Sequence, residues 1–144
     1  MPTYTVISQV DHYPTGTTIS PIAVIRGKTN AYGHSLHVAT IDAANPDTAM
    51  TTATSQSYTA QPDSDWDNIC SNQWTAIGVA DNGVCPSWSV RAVVPGAHKV
   101  EGRFESMLSH RWVVDVDDPT VRTVNEATKY AYRQTADLYN DAWY

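Results

Sequence analysis

The chain has 144 residues, with nine Lys and Arg against fifteen Asp and Glu, a formal net charge of −6, and five Trp and eight Tyr against a single Phe. That length suits one domain with one core, and it does not need a metal or a dense set of disulfides to hold together. No apolar run approaches the ~18 residues of a membrane span, and the start lacks the charged, apolar and small-residue series of a signal peptide; the expectation is a soluble protein without an export address.

The first predicted element is a hairpin. "TYTVISQV" and "TTISPIAVIRG" are rich in Thr, Val and Ile, and "DHYPTG" between them carries Pro and Gly. Pro21 removes a ladder donor, which predicts an edge or a bulge there. After a turn at "KTNAYGH", "SLHVATI" and "AMTTATSQSYTA" flank the Asn-Pro-Asp of "DAANPDT" and predict a second hairpin. Its second arm is polar on both faces, through Thr51, Thr52, Thr54, Ser55, Ser57 and Thr59, so its register must come from its neighbours.

"QPDSDWDNIC" through "DNGVCP" reads as a long acidic loop holding one short strand, "WTAIGV". No Lys or Arg occurs between Asn30 and Val90, and Asp42, Asp47, Asp63, Asp65, Asp67 and Asp81 lie there, so the negative excess is local to the middle of the chain. Such a block is a poor setting for phosphate, whose binding is dominated by Lys and Arg. Cys70 and Cys85 flank part of this loop. A disulfide between them would contribute roughly 3 kcal/mol, and two reduced apolar thiols are the equally weighted alternative.

"SWSVRAVV", the turn "PGAH" and a run from Lys99 to Val116 complete the strands. In that run Phe104, Leu108, Trp112, Val114 and Val116 share one face, and Arg103, Glu105, Ser109, Arg111 and Asp115 the other. Arg103 and Arg111 would stand roughly 27 Å apart at strand rise, each able to meet a separate phosphate. The competing reading is a solvated face on which Glu105 and Asp115 neutralise the arginines.

Beyond Asp118 the period becomes helical. Asp118 is read as the N-cap, Pro119 as the first helical residue and Asp117 as a favourable charge at the positive end of the dipole. Val121, Val124, Thr128, Ala131, Thr135, Leu138 and Ala142 form one stripe of small residues. The domain is thus expected to span 1–144, with strands and loops over 1–116 and one long helix over 118–142, and the sequence shows no internal repeat.

Catalytic and metal signatures are weak. His34 and His37 fall on opposite faces of a strand, the acidic loop lacks the Gly and Glu of an EF-hand, and there is no Gly-rich phosphate loop or nucleophile elbow. No enzyme activity, cofactor or metal is expected.

In the order hairpin, hairpin, Cys-bearing loop, long strand and C-terminal helix, the chain resembles the coat proteins of single-stranded RNA phages (levivirus type). The residues that carry the resemblance are "TGTTISP", the two cysteines, "SHRWVVDVDDPTVRTVNEATKY" and the terminal Tyr144. It implies an α+β fold in which an antiparallel sheet of about six strands is followed by the helix, intertwined into a homodimer. It further implies a virion protein made in the host cytoplasm, with no membrane partner, whose dimers build a shell around genomic RNA. The positions matching the RNA-facing strands are His37, Thr51, Ser55, Arg103, Ser109 and Arg111. The dimer contact is expected from Val121, Val124, Thr128, Ala131, Thr135 and Leu138. The alternative is a monomeric glycan-binding or other recognition module that stacks ligands on Trp66, Trp74, Trp88 and nearby tyrosines.

Overall fold

The computed structural model describes residues 1–56, 69–81, 87–101 and 109–143; within these, the side chains of 79–81, 87–89, 109–112 and 135–143 lie outside the description. The elements in order are β1 (Thr3–Tyr13), β2 (Gly16–Arg26), β3 (Leu36–Asp42), α1 (Pro46–Thr54), β4 (Trp74–Asp81), β5 (Ser87–Pro95), β6 (Val100–Glu101), β7 (Ser109–Val116) and α2 (Val124–Trp143). All the strand pairings are antiparallel, and the class is α+β. The strands do not form the single expected sheet. They divide into a four-stranded sheet, β3-β1-β2-β6, and a three-stranded sheet, β5-β4-β7.

The first hairpin forms as its residues dictate. β1 pairs with β2 from Tyr4↔Arg26 to Tyr13↔Gly16, and the register slips where Ile7 faces Ala23 but Ser8 faces Pro21. Ile22 is thus the extra residue of a bulge beside the proline, which removes a ladder donor at that point. β1 is buried on both sides because it is central. One face, with Tyr4 and Val6, packs with Val24, Ala39 and Ile41 under Ala49 and Ala53 of α1. The other, with Ile7, packs with Ala23 and Ile25 against Ile77, Ala92 and Val94 of the second sheet.

The predicted second hairpin is instead a strand followed by a helix. The Asn45 side chain accepts the Thr48 amide at 2.8 Å, Pro46 opens the helix and Asp47 lies in its first turn. These are helix-start signals, and they open a helix where Asn-Pro-Asp predicts a loop. Thr has a low helix propensity, but Ala49 and Ala53 lie on one face and are fully buried. The hydroxyls of Thr51, Thr52 and Thr54 bond carbonyls of the preceding turn, of Asp47, Thr48 and Thr51 respectively. Burial outweighs intrinsic preference here.

Lys99 to Val116 is also not one strand. β6 pairs with β2 in the first sheet, while β7 pairs with β4 in the second. The two strands thus lie in different sheets, and the spacing expected between Arg103 and Arg111 involves a residue, Arg103, outside the described ones. Asp118 does not cap the last helix either. Its carboxylate accepts the Thr120 hydroxyl at 2.7 Å and the Thr120 amide at 2.9 Å, in a turn before the helix. Those bonds, the hydroxyl first, hold the Asp118 carboxyl below its ordinary range. The cap is Thr123: its hydroxyl accepts the Glu126 amide at 3.2 Å and the Glu126 carboxylate accepts the Thr123 amide at 3.2 Å, a reciprocal capping box.

The second sheet follows the plan of the first. β4 pairs with β5, and its register slips where Ile77 faces Ala92 but Gly78 faces Val90, leaving Arg91 as the extra residue. β7 flanks β4 as β3 flanks β1. Trp74, Ala76, Val93 and Val116 pack under Val124, Ala127 and Ala131 of α2, matching the cluster beneath α1. Each β-hairpin ends in a glycine at φ 95°, Gly27 or Gly96, a backbone region that L side chains rarely adopt.

The turns after these glycines are held by equivalent threonines. Thr5 Oγ1 donates to the Gly27 carbonyl at 2.8 Å and accepts the Thr29 amide at 3.0 Å; Thr75 Oγ1 donates to the Gly96 carbonyl at 3.0 Å and accepts the His98 amide at 2.9 Å. Both threonines are fully buried. Thr5→Val and Thr75→Val keep the shape and remove both bonds, so each is expected to cost about 2 kcal/mol. Urea unfolding of the two variants checks this, and a loss confined to one of them would contradict equal roles.

Candidate functional site

Of the residues expected to face RNA, His37, Thr51 and Ser55 have described side chains, and these three do not line one strand face. His37 lies on β3, opposite Ser8 of β1, in the face that α1 covers. It is 6 % exposed and its ring Nε2 meets Gln56 Oε1 at 3.2 Å, just past the end of α1. Thr51 is exposed on α1 and Ser55 is exposed as its C-cap, where the Ser55 hydroxyl donates to the Thr52 carbonyl at 2.7 Å. His37 is thus an interior polar residue, and Thr51 and Ser55 lie on a helix and its C-cap rather than on a strand facing RNA. Ser109 and Arg111 are in β7, in register with Asp81 and Val79, and Arg103 lies outside the described residues.

The first part of the expected dimer stripe packs against its own chain. Val121, Val124 and Ala131 are buried with Trp74, Val93 and Val116 of the second sheet. Thr128 is half-buried and bonds the Val124 carbonyl at 2.8 Å. Thr135 and Leu138 are in α2, but their side chains lie outside the description. The sequence reading missed Ala127, which is fully buried at the centre of this contact. Its place is set by the cap: counted from Thr123 it matches Ala49 counted from Asn45.

Trp74, one of the proposed stacking platforms, is 1 % exposed and offers no face to a ligand. Trp66 and the Trp88 side chain lie outside the description. Cys70 is an exposed, free thiol that bridges to Thr123 through its backbone, while Cys85 lies outside the described residues.

Three surface features among the described residues bear on function. The first is an open depression of about 670 Å³ lined by Asn72, Gln73, Asp117, Pro119 and Arg122, where Arg122 Nη2 donates to Asn72 Oδ1 at 3.4 Å. It sets one cation and one carboxylate beside amides, a setting for a small polar group. Among the described residues there is no group of three or more His, Cys, Asp and Glu placed to hold a metal, and no helix is long and apolar enough to cross a membrane.

The second feature is the outer edge of β3 and the third that of β7, neither paired among the described residues. β7 carries Val113, 42 % exposed, between Arg111 and the exposed Asp115. An apolar residue displayed on an open edge is a template for a further strand. The alternation of β7 was legible in the sequence; that it ends a sheet was not, because β3 and β7 were assigned to one sheet. Comparison with protein-family models, with curated protein sequences and with solved structures finds no match for this chain.

Proposed function

We propose that the chain is a self-assembling structural protein of the coat type, whose copies join as homodimers along β7 and build a shell around RNA. The observation that carries this reading is the order of residues on the open edge. An antiparallel β7 pair centred on Val113 places Val113 against Val113 of the second copy and sets Arg111 opposite Asp115 in both directions. That register is self-complementary, as a twofold contact requires. It also joins two three-stranded sheets into a continuous one and removes an edge from each. RNA is the expected cargo of such a shell, with Arg103, Ser109 and Arg111 the candidate contacts. His37, Thr51 and Ser55 are not retained in that role.

Light scattering and negative-stain microscopy test the reading. The purified protein is expected to form dimers and closed particles carrying ribonuclease-sensitive absorbance at 260 nm (roughly, an RNA signature). Val113→Lys, which puts a charge at the centre of the pair, is expected to leave monomers. A wild-type protein that stays monomeric and free of nucleic acid would rule the coat reading out.

A further inference from the structure

The two halves of the chain are built alike, and they hold each other alike. The numbering shift that carries Gly27 to Gly96 also carries Val24 to Val93 and Tyr32 to Glu101. Across the two sheets, Glu101 pairs with Val24 and Tyr32 pairs with Val93. The arm that follows each hairpin therefore crosses over and pairs with the second strand of the other hairpin, at equivalent positions. This reciprocity, residue i on j and j on i, is the mark of a twofold interface.

The interior between the sheets repeats the relation. Ile7 and Ile77, Ala23 and Ala92, and Ile25 and Val94 are equivalent pairs in one cluster, and Ala31 and Val100 add a further pair. The bulge residues Ile22 and Arg91 are equivalent as well. Gly33 lies against the Arg91 carbonyl, and the sequence has a glycine at the matching position of the other half, Gly102. Each helix covers its own sheet from outside, Ala49 and Ala53 on one side and Ala127 and Ala131 on the other. Strand order, bulge position, turn glycine, threonine clamp, helix contact and arm exchange all follow one rule.

We propose that the chain is a fused pair of one βββα unit, and that the twofold surface between the units also accepts a unit from a second copy of the chain. In that swapped dimer the first unit of each copy closes on the second unit of the other, through the contacts already made within one chain. No new contact is needed, so concentration alone decides between the closed monomer and the swapped pair. The Arg26–Glu101 contact breaks the equivalence: Arg26 Nε lies 3.5 Å from the Glu101 carboxylate, whereas their counterparts are Pro95 and Tyr32. This ion pair forms only between a first and a second unit, and it favours that pairing over two like units. The proposal stands apart from the β7 edge contact, which uses a different surface.

The ion pair also supplies the test on the full chain. One preparation carries Arg26→Cys and another Glu101→Cys, both with Cys70→Ser and Cys85→Ser. They are mixed, unfolded, refolded together at high concentration and treated with a short bis-maleimide. The expected product is a linked species of twice the chain mass with one copy of each variant, absent when either preparation is treated alone. A chain carrying both substitutions is expected to link internally when refolded dilute. The proposal is overturned if the mixture gives no linked dimer while the double variant links internally. It is equally overturned if the double variant fails to link, because the arm would then not lie beside β2.

Discussion

Gly33→Ala is expected to destabilise the protein by about 3 kcal/mol, lowering the melting temperature by roughly 10 °C for a domain of this size. A Cβ on Gly33 would fall well inside van der Waals contact of the Arg91 carbonyl oxygen and 2.9 Å from Leu36 Cδ1. Leu36 is a side chain and can turn away. The carbonyl belongs to the bulge of β5 and is fixed by its neighbours: the Tyr32 amide donates to the Val93 carbonyl, and the Val93 amide donates to the Tyr32 carbonyl, each at 2.9 Å. Accommodating the methyl therefore means parting the arm from β5 or shifting the strand, and either opens the junction of the two sheets. Gly16→Ala is the comparison, since its φ of 150° adds strain but nothing lies within 4 Å of its Cβ. Urea and thermal unfolding of both variants measure the difference. Equal, small losses would show that the arm does not lie close against β5.

The halves of the chain differ in how much of this could be read beforehand. The β1–β2 hairpin and its bulge were legible because Pro21 and the Pro-Gly turn act through local backbone chemistry. "WTAIGV", "SWSVRAVV" and "PGAH" were legible for the same reason. α1 was not, because its threonines read as strand and Asn45-Pro46-Asp47 fits a loop as well as a helix start; the burial of Ala49 and Ala53 decides for the helix, and that support comes from a sheet formed elsewhere in the chain. The start of α2 was misplaced because Asp118 and Thr123 both fit a cap, and only the reciprocal bond with Glu126 separates them.

The repeat is not legible in the sequence for a related reason. What the units share is mostly the geometry of pairing, and the identities that mark it are scattered: Thr5 and Thr75, Ile7 and Ile77, Ala23 and Ala92, Gly27 and Gly96. Apolar exchanges such as Ile25 and Val94 keep the packing while erasing the likeness, and polar ones such as Ile22 and Arg91 or Tyr32 and Glu101 erase it further. The candidate surface suffered more than the fold. A face expected to meet RNA required one sheet with an open side, and the first sheet is covered on both sides, by α1 and by the second sheet. Hence His37, polar and correctly placed on β3, turns inward.

The largest effect expected of a single truncation falls on the core between the sheets. Ile7→Ala and Ile77→Ala should each cost about 3 to 4 kcal/mol, because both side chains are fully buried in the same cluster and the strands around them are central in their sheets. The informative quantity is the comparison. If the core is twofold, the two losses match within experimental error, and the double variant loses less than their sum, since the surrounding side chains relax into one shared space. Chemical unfolding of the three variants supplies the numbers. Unequal losses, or strict additivity, would mean that each isoleucine sits in a private core and that the likeness of the two sheets stops at the backbone. Matching losses with coupling would instead tie the stability of the first sheet to that of the second. The protein then unfolds as one unit, although its pattern is written twice.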